Sequence, residues 1–411
     1  MGNAHLKGWP NEDQLFAMQI ARIFVSIPSI LGASYIVQHV LRSRKRRGRS
    51  VTRIIGSMSA HDLLLACVQS LSSSIVPREL RGWIALANGT WGTCQAVAFL
   101  QQGATISSVL YNATLTLYYL LSVRYSWNAR QLRRIEPWLH AIPLFIGWGT
   151  AIAALPLNIY NPIFMGCDIV PFPMGCDSNP FVPCQRGENA HKFRTAFYFT
   201  WIWATFAFLV VAMVMIYCKI ASTVRRSAGY NSAWISKTSS LISTPSSNTC
   251  ERDGESSNNT PKEHAPTTTQ AHVTRTREST RSNDLSLNEM KRQFATQAFL
   301  YCMAFFMTWI FFTVELILRQ LTDKPAYVPI IFLNVLLQPL QGFWNFFIYV
   351  RPRYIAYRQR ERRQQEHQPQ RQAGRWKAFV KSLPVDAEDY DEPSTEFKEE
   401  RPNPQTHTEE R

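Results

Sequence analysis

Two apolar stretches in the second half of the chain decide its fold: FYFTWIWATFAFLVVAMVMIYC at residues 197–218 and FATQAFLYCMAFFMTWIFFTVELIL at residues 294–318. Each is long enough to cross a hydrocarbon core roughly 30 Å thick, which takes about 20 helical residues. A helix on the surface of a soluble protein keeps one polar face, whereas these stretches are apolar nearly all round. We therefore interpret both as membrane-spanning helices.

Five further segments have a similar length and apolar character. The predicted spans 1 to 7 cover residues 18–41, 54–76, 94–121, 138–160, 195–218, 294–318 and 326–350. Spans 2 and 3 are the weakest, because Asp62 interrupts the first of them and Gln102 and Asn112 interrupt the second. Lipid cannot solvate such side chains, so they normally face a bundle interior. The predicted fold class is an all-α membrane protein, a seven-transmembrane helix bundle over residues 18–350.

The distribution of charge predicts the orientation of the bundle. The chain has 44 Lys and Arg against 29 Asp and Glu, a net charge of +15. The loop between spans 1 and 2 (RSRKRRGRSVTR) holds seven basic residues and no acid, whereas the alternate loops are nearly balanced. The positive-inside rule makes the basic loops cytoplasmic and the N-terminal segment 1–17 extracellular. We therefore expect a multi-pass protein of the plasma membrane, and no nucleic-acid partner.

Two polar regions have too few large apolar side chains to form a core. Residues 222–290, the third cytoplasmic loop, and residues 365–411, the tail, are predicted to be disordered and to carry sites for kinases. Between span 7 and the tail, residues 351–364 begin RPRYIAYRQRERR. We expect a short amphipathic helix there, with its arginines contacting anionic lipids of the inner leaflet.

Four of the eight cysteines cluster on the predicted outer face. Cys94 begins span 3, and Cys167, Cys176 and Cys184 lie in the loop between spans 4 and 5. The outer face is oxidising, so two disulfides are expected, with three possible connectivities. The favoured pairing joins Cys94 to Cys167, with Cys184 as the alternative partner, and would tie the loop across the bundle mouth as a lid. Asn88 begins a glycosylation sequon in the first outer loop.

Several motifs follow one another in a recognisable order. Trp91-Gly92-Thr93-Cys94 resembles the entry to the third helix of G-protein-coupled receptors, which usually also have an acid where Asp62 stands. Gly147-Trp148-Gly149 resembles the fourth-helix motif of the secretin-like and slime-mould cyclic-AMP-receptor-like groups. QGFWNFFIY at residues 341–349 is similar to the end of the seventh helix in the latter group. The resemblance covers residues 15–360 and implies a receptor without enzymatic activity or cofactor, which transduces an extracellular ligand signal to a heterotrimeric G protein.

Other patterns of the receptor family are absent. The acid-Arg-Tyr triplet of rhodopsin-like receptors is missing at the inner end of span 3, and span 6 has Trp309 without the Cys-Trp-x-Pro pattern. The candidate residues for the ligand pocket and conformational switch are Asp62, Trp148, Trp309, Asn345 and Tyr349. The candidate contacts to the G protein are Arg124, Arg225, Arg226, Lys291, Arg292 and Arg353.

Asp62 is the most informative single residue, because a carboxylate at membrane depth is costly unless it is paired or hydrated. We expect it to face Asn345, with Asn334 and His61 as neighbours, in a polar or cation-binding centre. The alternative is a purely structural hydrogen-bond node. At the outer end of span 6, Glu315 is expected to pair with Arg319, four residues later.

Three other functions are compatible with a bundle of apolar helices. A light-sensing opsin needs a Schiff-base lysine in span 7, and residues 326–350 contain none. A seven-helix membrane hydrolase needs a set of metal-binding histidines that the spans lack. A transporter or channel that uses the polar spans 2 and 3 stays open, although the sequence shows no inverted repeat.

Overall fold

In the computed structural model of the chain, the described residues are 12–242, 268–322 and 328–367, without positions 72, 82, 83, 85, 164, 174, 175 and 177–180. For residues 12, 45, 226–242, 268–290, 319–322 and 363–367 the description covers the backbone alone. The predictions for residues 1–11, 243–267 and 368–411 lie outside it. Cys250 lies outside it too.

Long helices dominate the described residues. They are α1 (Glu12–Arg42), the short α2 (Arg44–Arg47), α3 (Ser50–Leu71), α4 (Trp91–Val123), α5 (Ala129–Ala154), the short α6 (Ala190–Arg194), α7 (Thr200–Ile242), α8 (Thr268–Thr322), α9 (Val328–Leu337) and α10 (Gln341–His367). A π-helical turn (Thr195–Phe199) joins α6 to α7, and a 3-10 turn (Gln338–Leu340) joins α9 to α10. The strands β1 (Tyr160–Ile163) and β2 (Gly166–Ile169) form an antiparallel hairpin, so the protein is not strictly all-α.

Six stretches of the described chain are long and apolar enough to cross a membrane: Asp13–Arg42, Ser50–Leu71, Trp91–Val123, Ala190–Arg225, Lys291–Leu318 and Val328–Arg362. They coincide with predicted spans 1, 2, 3, 5, 6 and 7. The helix α5 coincides with span 4, and His140, Pro143 and the glycines beside Trp148 lower its hydropathy. The protein is a helical membrane bundle.

The bundle exposes large apolar side chains on its surface and buries polar ones, which is the distribution expected of a protein in a lipid bilayer. Large apolar side chains such as Phe24, Leu31 and Phe145 project from its outer surface and are more than half exposed. Polar side chains of the weak spans, such as Asp62 and Gln102, are buried inside it. This arrangement suits lipid, which solvates apolar groups and cannot solvate polar ones.

Two predicted span ends are wrong. Span 2 was expected to run to residue 76, but α3 ends at Leu71, because the serine-rich segment that follows bonds to its own backbone: the Ser74 hydroxyl donates to the Leu71 carbonyl at 2.8 Å. Span 4 was expected to run to residue 160, but α5 ends at Ala154, and the chain reverses in a turn over residues 155–158, where Asn158 has a φ of 52°. Asparagine tolerates this left-handed conformation, which a helix cannot contain. Tyr160 instead opens β1.

Two predictions about the cytoplasmic segments also need correction. Residues 222–242 and 268–290, expected to be disordered, continue α7 and open α8, because a helix that is already nucleated extends through polar sequence at little cost. The separate amphipathic helix expected at residues 351–364 is absent from the described chain, since α10 continues unbroken to His367. Its Tyr354 and Tyr357 pack against the core cluster at this end of the bundle.

The loop between α5 and α6 is fixed by covalent bonds and a β-ladder. Tyr160 pairs with Ile169 and Ile163 with Gly166. One disulfide joins Cys94, at the start of α4, to Cys167 in β2, and a second joins Cys176 to Cys184. Of the three possible connectivities, the structure therefore has the favoured one. The cysteines Cys67, Cys218 and Cys302 are free.

The helix α4 is the centre of the bundle, in contact with α3, α5, α7 and α8. Its closest approach is to α5 at Gly147. A methyl group there would lie 2.8 Å from the backbone nitrogen of Ser107 and 2.9 Å from the Gly103 carbonyl oxygen. Across the same contact, the Trp148 ring lies against Gly103. The Gly147-Trp148 part of the motif is thus explained by helix packing.

We predict that Gly147→Ala lowers the free energy of unfolding by about 2 kcal/mol, because backbone atoms cannot give way to the added methyl group. Gly149→Ala is the matched control, since nothing lies within 4 Å of the position of its methyl group. That control is expected to be neutral or slightly stabilising. Thermal unfolding in detergent measures both, and equal behaviour of the two variants would contradict the close approach.

We also predict that the two disulfides contribute differently to the free energy of unfolding. The Cys94–Cys167 bridge spans a sequence separation of 73, and the Cys176–Cys184 bridge spans 8. Loop-closure entropy then gives about 4 kcal/mol for the first and about 2.5 kcal/mol for the second. Replacing the first pair by alanines should therefore lower the unfolding midpoint more than replacing the second pair. The opposite order would show that the long bridge constrains the unfolded chain little.

Candidate functional site

A buried carboxylate lies at the centre of the bundle. Asp62 of α3 is 2% exposed. One of its oxygens accepts a hydrogen bond from the Ser108 hydroxyl of α4 at 2.5 Å, and the other accepts from the Asn345 amide of α10 at 2.8 Å. A buried carboxylate without hydrogen-bond donors would destabilise the fold, and these two bonds supply the donors. The carboxylate therefore holds three helices together.

A second set of hydrogen bonds extends this centre to α8. The Gln341 amide nitrogen donates to the Ser108 hydroxyl at 3.2 Å, and its amide oxygen accepts from the Trp309 indole at 3.1 Å. All of these side chains are buried. We call the connected chain Trp309–Gln341–Ser108–Asp62–Asn345 the central network. It links α8, α10, α4 and α3 without a gap.

A break in span 7 sets the position of Gln341. The 3-10 turn Gln338–Leu340 interrupts the span, and its Pro339 cannot donate the backbone hydrogen bond that a continuous α-helix needs. Gln341 is the first residue of the helix that follows. The break therefore lies directly beside a member of the central network, where a change in helix direction would alter the network's geometry.

The other candidate switch residues lie outside the central network. The Trp148 indole donates to the His61 ring at 3.4 Å, and the Tyr349 hydroxyl lies 2.9 Å from Nδ1 of His39. The expectation that His61 adjoins the Asp62 carboxylate is wrong, since its ring bonds to the Ser57 carbonyl and faces α4 and α5.

Asn334 is also placed elsewhere. Its amide donates to Glu315 at 2.9 Å, at the other end of span 7 from Asn345. The side chain of Arg319, the expected partner of Glu315, lies outside the described residues. Among the residues that the structure describes, no three of His, Cys, Asp and Glu form a metal-binding group. A cation at Asp62 and Asn345 stays a prediction.

The hairpin covers the end of the bundle where α1 and α9 meet. Met165, at its turn, is buried in a cluster with Met18 of α1 and Ile331 of α9. The buried guanidinium of Arg22 donates to the Met165 carbonyl at 3.2 Å. Nearby, Asp168 of β2 forms an ion pair with Arg194 at 3.0 Å. The hairpin is therefore held by polar contacts as well as by the disulfide. Asn88, of the predicted glycosylation sequon, is exposed in the segment between α3 and α4.

At the opposite end, most of the predicted contacts to a G protein lie at the surface. Arg124, Arg225 and Arg292 are exposed and Lys291 is half-buried, whereas the side chain of Arg226 lies outside the described residues. Arg353 differs, because it is held by His39 and Tyr349. It is thus part of the helix packing at this end and not a freely exposed contact.

An ion pair joins α3 to α5 at the same end. Arg53 contacts the Glu136 carboxylate with two nitrogens, and the Ser50 hydroxyl donates to it at 2.7 Å. Burial alone would raise the pKa of the Glu136 carboxyl, but the hydrogen bonds from Arg53 and Ser50 lower it below its ordinary value. The group is therefore charged at neutral pH, and the ion pair holds the first turn of α3 against α5.

Comparison with known proteins identifies the fold. No family model and no curated protein matches the chain. Among solved structures, squid rhodopsin matches with a TM-score of 0.55 at 9% sequence identity, over 85% of this chain and 80% of that one. The chain therefore has a fold like that of squid rhodopsin. At this identity the likeness shows the fold alone, and it does not distinguish among the receptor groups that the motifs resemble.

Sequence reasoning missed two members of the central network and the break beside it. Ser108 and Gln341 are isolated polar residues in apolar helices, and Pro339 is an isolated proline in span 7. Each was visible as a polar or helix-breaking residue at membrane depth, which is a functional signal by default. What the sequence did not contain was the contact between them, which depends on how α4 and α10 are rotated.

We predict that Asp62 and Asn345 are energetically coupled. In a double-mutant cycle of Asp62→Ala and Asn345→Ala, the coupling energy should exceed about 1 kcal/mol, because the two side chains share a buried hydrogen bond. The control cycle pairs Asp62→Ala with Asn161→Ala, a buried amide in the outer hairpin that bonds only to hairpin and loop carbonyls. That cycle should be additive within about 0.5 kcal/mol. Additivity in both cycles would refute a connected network.

Proposed function

We propose that this protein is a G-protein-coupled receptor that transduces an extracellular ligand signal to a heterotrimeric G protein. The observation that carries the proposal is the central network, which connects four helices through five buried side chains and adjoins the break in span 7. A receptor needs two bundle arrangements that a ligand can bias. A network that is satisfied in one arrangement and strained by helix rotation provides that bistability.

The proposed topology has seven spans, with α5 as the fourth. It has an extracellular N-terminus and a cytoplasmic C-terminus. Two features support it: the basic loops lie at the end of the bundle where α1 and α2 meet, and the disulfide-linked hairpin lies at the other end. Disulfides belong on the oxidising side of a membrane, and lysine and arginine on the cytoplasmic side. We place the protein in the plasma membrane.

We infer that the ligand binds between the hairpin and the central network. The hairpin closes over α1 and α9 through Met165, so a ligand entering from outside has to meet it first. Below it, Trp309 is buried among the aromatic side chains of α7 and α8, including Phe305 and Phe312. A ligand that moves this aromatic cluster would act on Gln341 through the Trp309 indole, and so on the whole network.

The proposed partners act at the cytoplasmic end. A shift of α7 against α8 would open a cleft lined by Arg225, Lys291 and Arg292, whose charge favours an acidic or carboxylate-bearing segment of a G protein. Kinases acting on residues 222–290 and 365–411 would regulate this contact. The protein is proposed to have no enzymatic activity and no cofactor.

The deciding test is nucleotide exchange on purified G-protein α subunits, with the full chain reconstituted in lipid. We expect the wild-type protein to accelerate exchange. Gln341→Leu should raise ligand-independent exchange by about fivefold, since losing a hydrogen bond worth about 1 kcal/mol destabilises the resting arrangement. Thr150→Val is the matched control, because the Thr150 hydroxyl bonds only to carbonyls of its own helix.

Two outcomes would contradict the proposal, one for the receptor function and one for the central network. If no α subunit from the protein's native source responds and the protein conducts ions in liposomes, it is a transporter or channel that uses α3 and α4. If Gln341→Leu and Thr150→Val behave alike in the exchange assay, the central network is a structural node and not the switch.

A further inference from the structure

Arg194 joins the hairpin to the aromatic interior of the bundle. It is the last residue of α6, directly before the π-helical turn (Thr195–Phe199) that opens span 5. On one side, its guanidinium forms an ion pair with Asp168 of β2, with 3.0 Å between nitrogen and oxygen. On the other side, the guanidinium lies over the ring of Phe199, 5.2 Å from the ring centroid. One side chain therefore contacts the hairpin and span 5 at once.

The π-helical turn brings Phe199 beneath Arg194, which precedes it by five residues. In an α-helix, a step of five residues rotates the side chain by about 140° from the starting direction. A π-helix closes its hydrogen bonds between residues i and i+5 instead, and such turns are frequent at functional sites. The Thr200 backbone N–H accordingly bonds to the Thr195 carbonyl, and the Thr200 hydroxyl donates to the same carbonyl at 2.9 Å. The turn therefore helps to place the cation over the ring.

Phe199 is the first of three aromatic side chains that lead to the central network. Its ring centroid lies 5.6 Å from that of Phe312 in α8. The Phe312 centroid lies 5.6 Å from that of Trp309, with the rings edge to face at 86°. Ring pairs at these distances attract each other beyond what burial alone contributes. Trp309 ends the series, because its indole donates to Gln341 of the central network at 3.1 Å.

The ion pair is the part of this connection that an incoming charged group can change. The side chains of Arg194 and Asp168 keep 25% and 18% of their area exposed, and ion pairs in contact with water break at little cost. The rings of Phe199 and Trp309 are buried, and a packed interior shifts between discrete arrangements and does not deform continuously. A change at the ion pair would therefore be passed on as a change in ring packing.

We propose that Arg194 is a positioning residue for the switch. Its ion pair with Asp168 holds Phe199 against the aromatic rings of α8, and so determines how firmly the Trp309 indole is bonded in the central network. The proposal rests on the proposed function, in which that network is the switch. A charged ligand group that takes over either partner of the ion pair would release Phe199 and loosen the network without touching it. The hairpin would then take part in sensing the ligand.

The test is hydrogen exchange of the tryptophan indole N–H groups, followed by NMR on the full chain in nanodiscs. Asp168→Asn removes the charge and keeps the shape of the side chain. It should lower the protection of the Trp309 indole by about threefold, the size of effect that a partly exposed ion pair produces. Glu188→Gln is the matched control, since it removes the same charge from an exposed residue of the same loop. It should leave this protection unchanged.

The Trp148 indole is the internal control for general loosening of the bundle. It donates to the His61 ring of α3 and is not a member of the aromatic series. Its protection should be the same in the wild-type protein, in Asp168→Asn and in Glu188→Gln. A loss of protection at Trp148 equal to that at Trp309 would show that Asp168→Asn destabilises the whole bundle, and would overturn the proposal.

Three further variants test the route through Arg194 and Phe199. Asp168→Asn should have no further effect on Trp309 in a Phe199→Leu background, because the ring that passes the change on is gone. Arg194→Gln removes both contacts and should lower the protection at least as much as Asp168→Asn does. Arg194→Lys keeps the charge and should retain most of it. An effect of Asp168→Asn that is equal with and without Phe199, or equal to that of Glu188→Gln, would overturn the proposal.

The hydrogen-exchange measurement contains neither ligand nor G protein, so its failure can be told apart from failure of the proposed function. If Asp168→Asn lowers the protection of Trp309 and no α subunit responds, the positioning role stands and the receptor function is wrong. If nucleotide exchange is accelerated and the protection of Trp309 does not change, the receptor function stands and the positioning role is wrong. If both stand, Asp168→Asn should also raise ligand-independent nucleotide exchange, by up to about threefold.

Discussion

The structure depends on the burial of one carboxylate in an apolar helix bundle. A helix pair in lipid gains little from apolar contact alone, because lipid tails solvate apolar side chains as well as a neighbouring helix does. Asp62 changes this balance, because its oxygens cannot be left without donors at membrane depth. Ser108 and Asn345 supply those donors. Hydrogen-bond distances at Asp62 therefore constrain the separations of α3, α4 and α10, in addition to the packing of their apolar side chains.

The two ends of the bundle are stabilised in different ways. The end that carries the hairpin has a disulfide, a β-ladder and the buried Arg22 contact to the hairpin turn, so its loop has little freedom. The opposite end has no disulfide among the described residues, and it concentrates arginines, whose like charges repel one another. A ligand signal arriving at the rigid end would therefore be expressed as movement at the end that is electrostatically less stable.

The sequence was sufficient for the positions of six apolar helices and for the pairing of Asp62 with Asn345, because hydropathy and motif order carry that information. It failed where local backbone chemistry competes with hydropathy, at the serine run after Leu71 and at the turn that contains Asn158. It also failed for Ser108 and Gln341, because helical periodicity alone does not give the rotation of one helix against another. Composition predicted disorder in residues 222–242, where the helix propagates from α7 instead.

One helix carries polar side chains both to the central network and to His39, and its geometry explains their order. Gln341, Asn345, Tyr349 and Arg353 recur every four residues along α10. Because each residue turns an α-helix by about 100°, a step of four advances the side chain by about 40°, so the ridge winds by about 120° over its length. Its first member accordingly bonds to α4 and α8, the second to α3, and the last two to α1. A change of hydrogen-bond partner at either end of this ridge would then bias the rotation of the same rigid helix, which is the physical requirement for coupling between two distant sites.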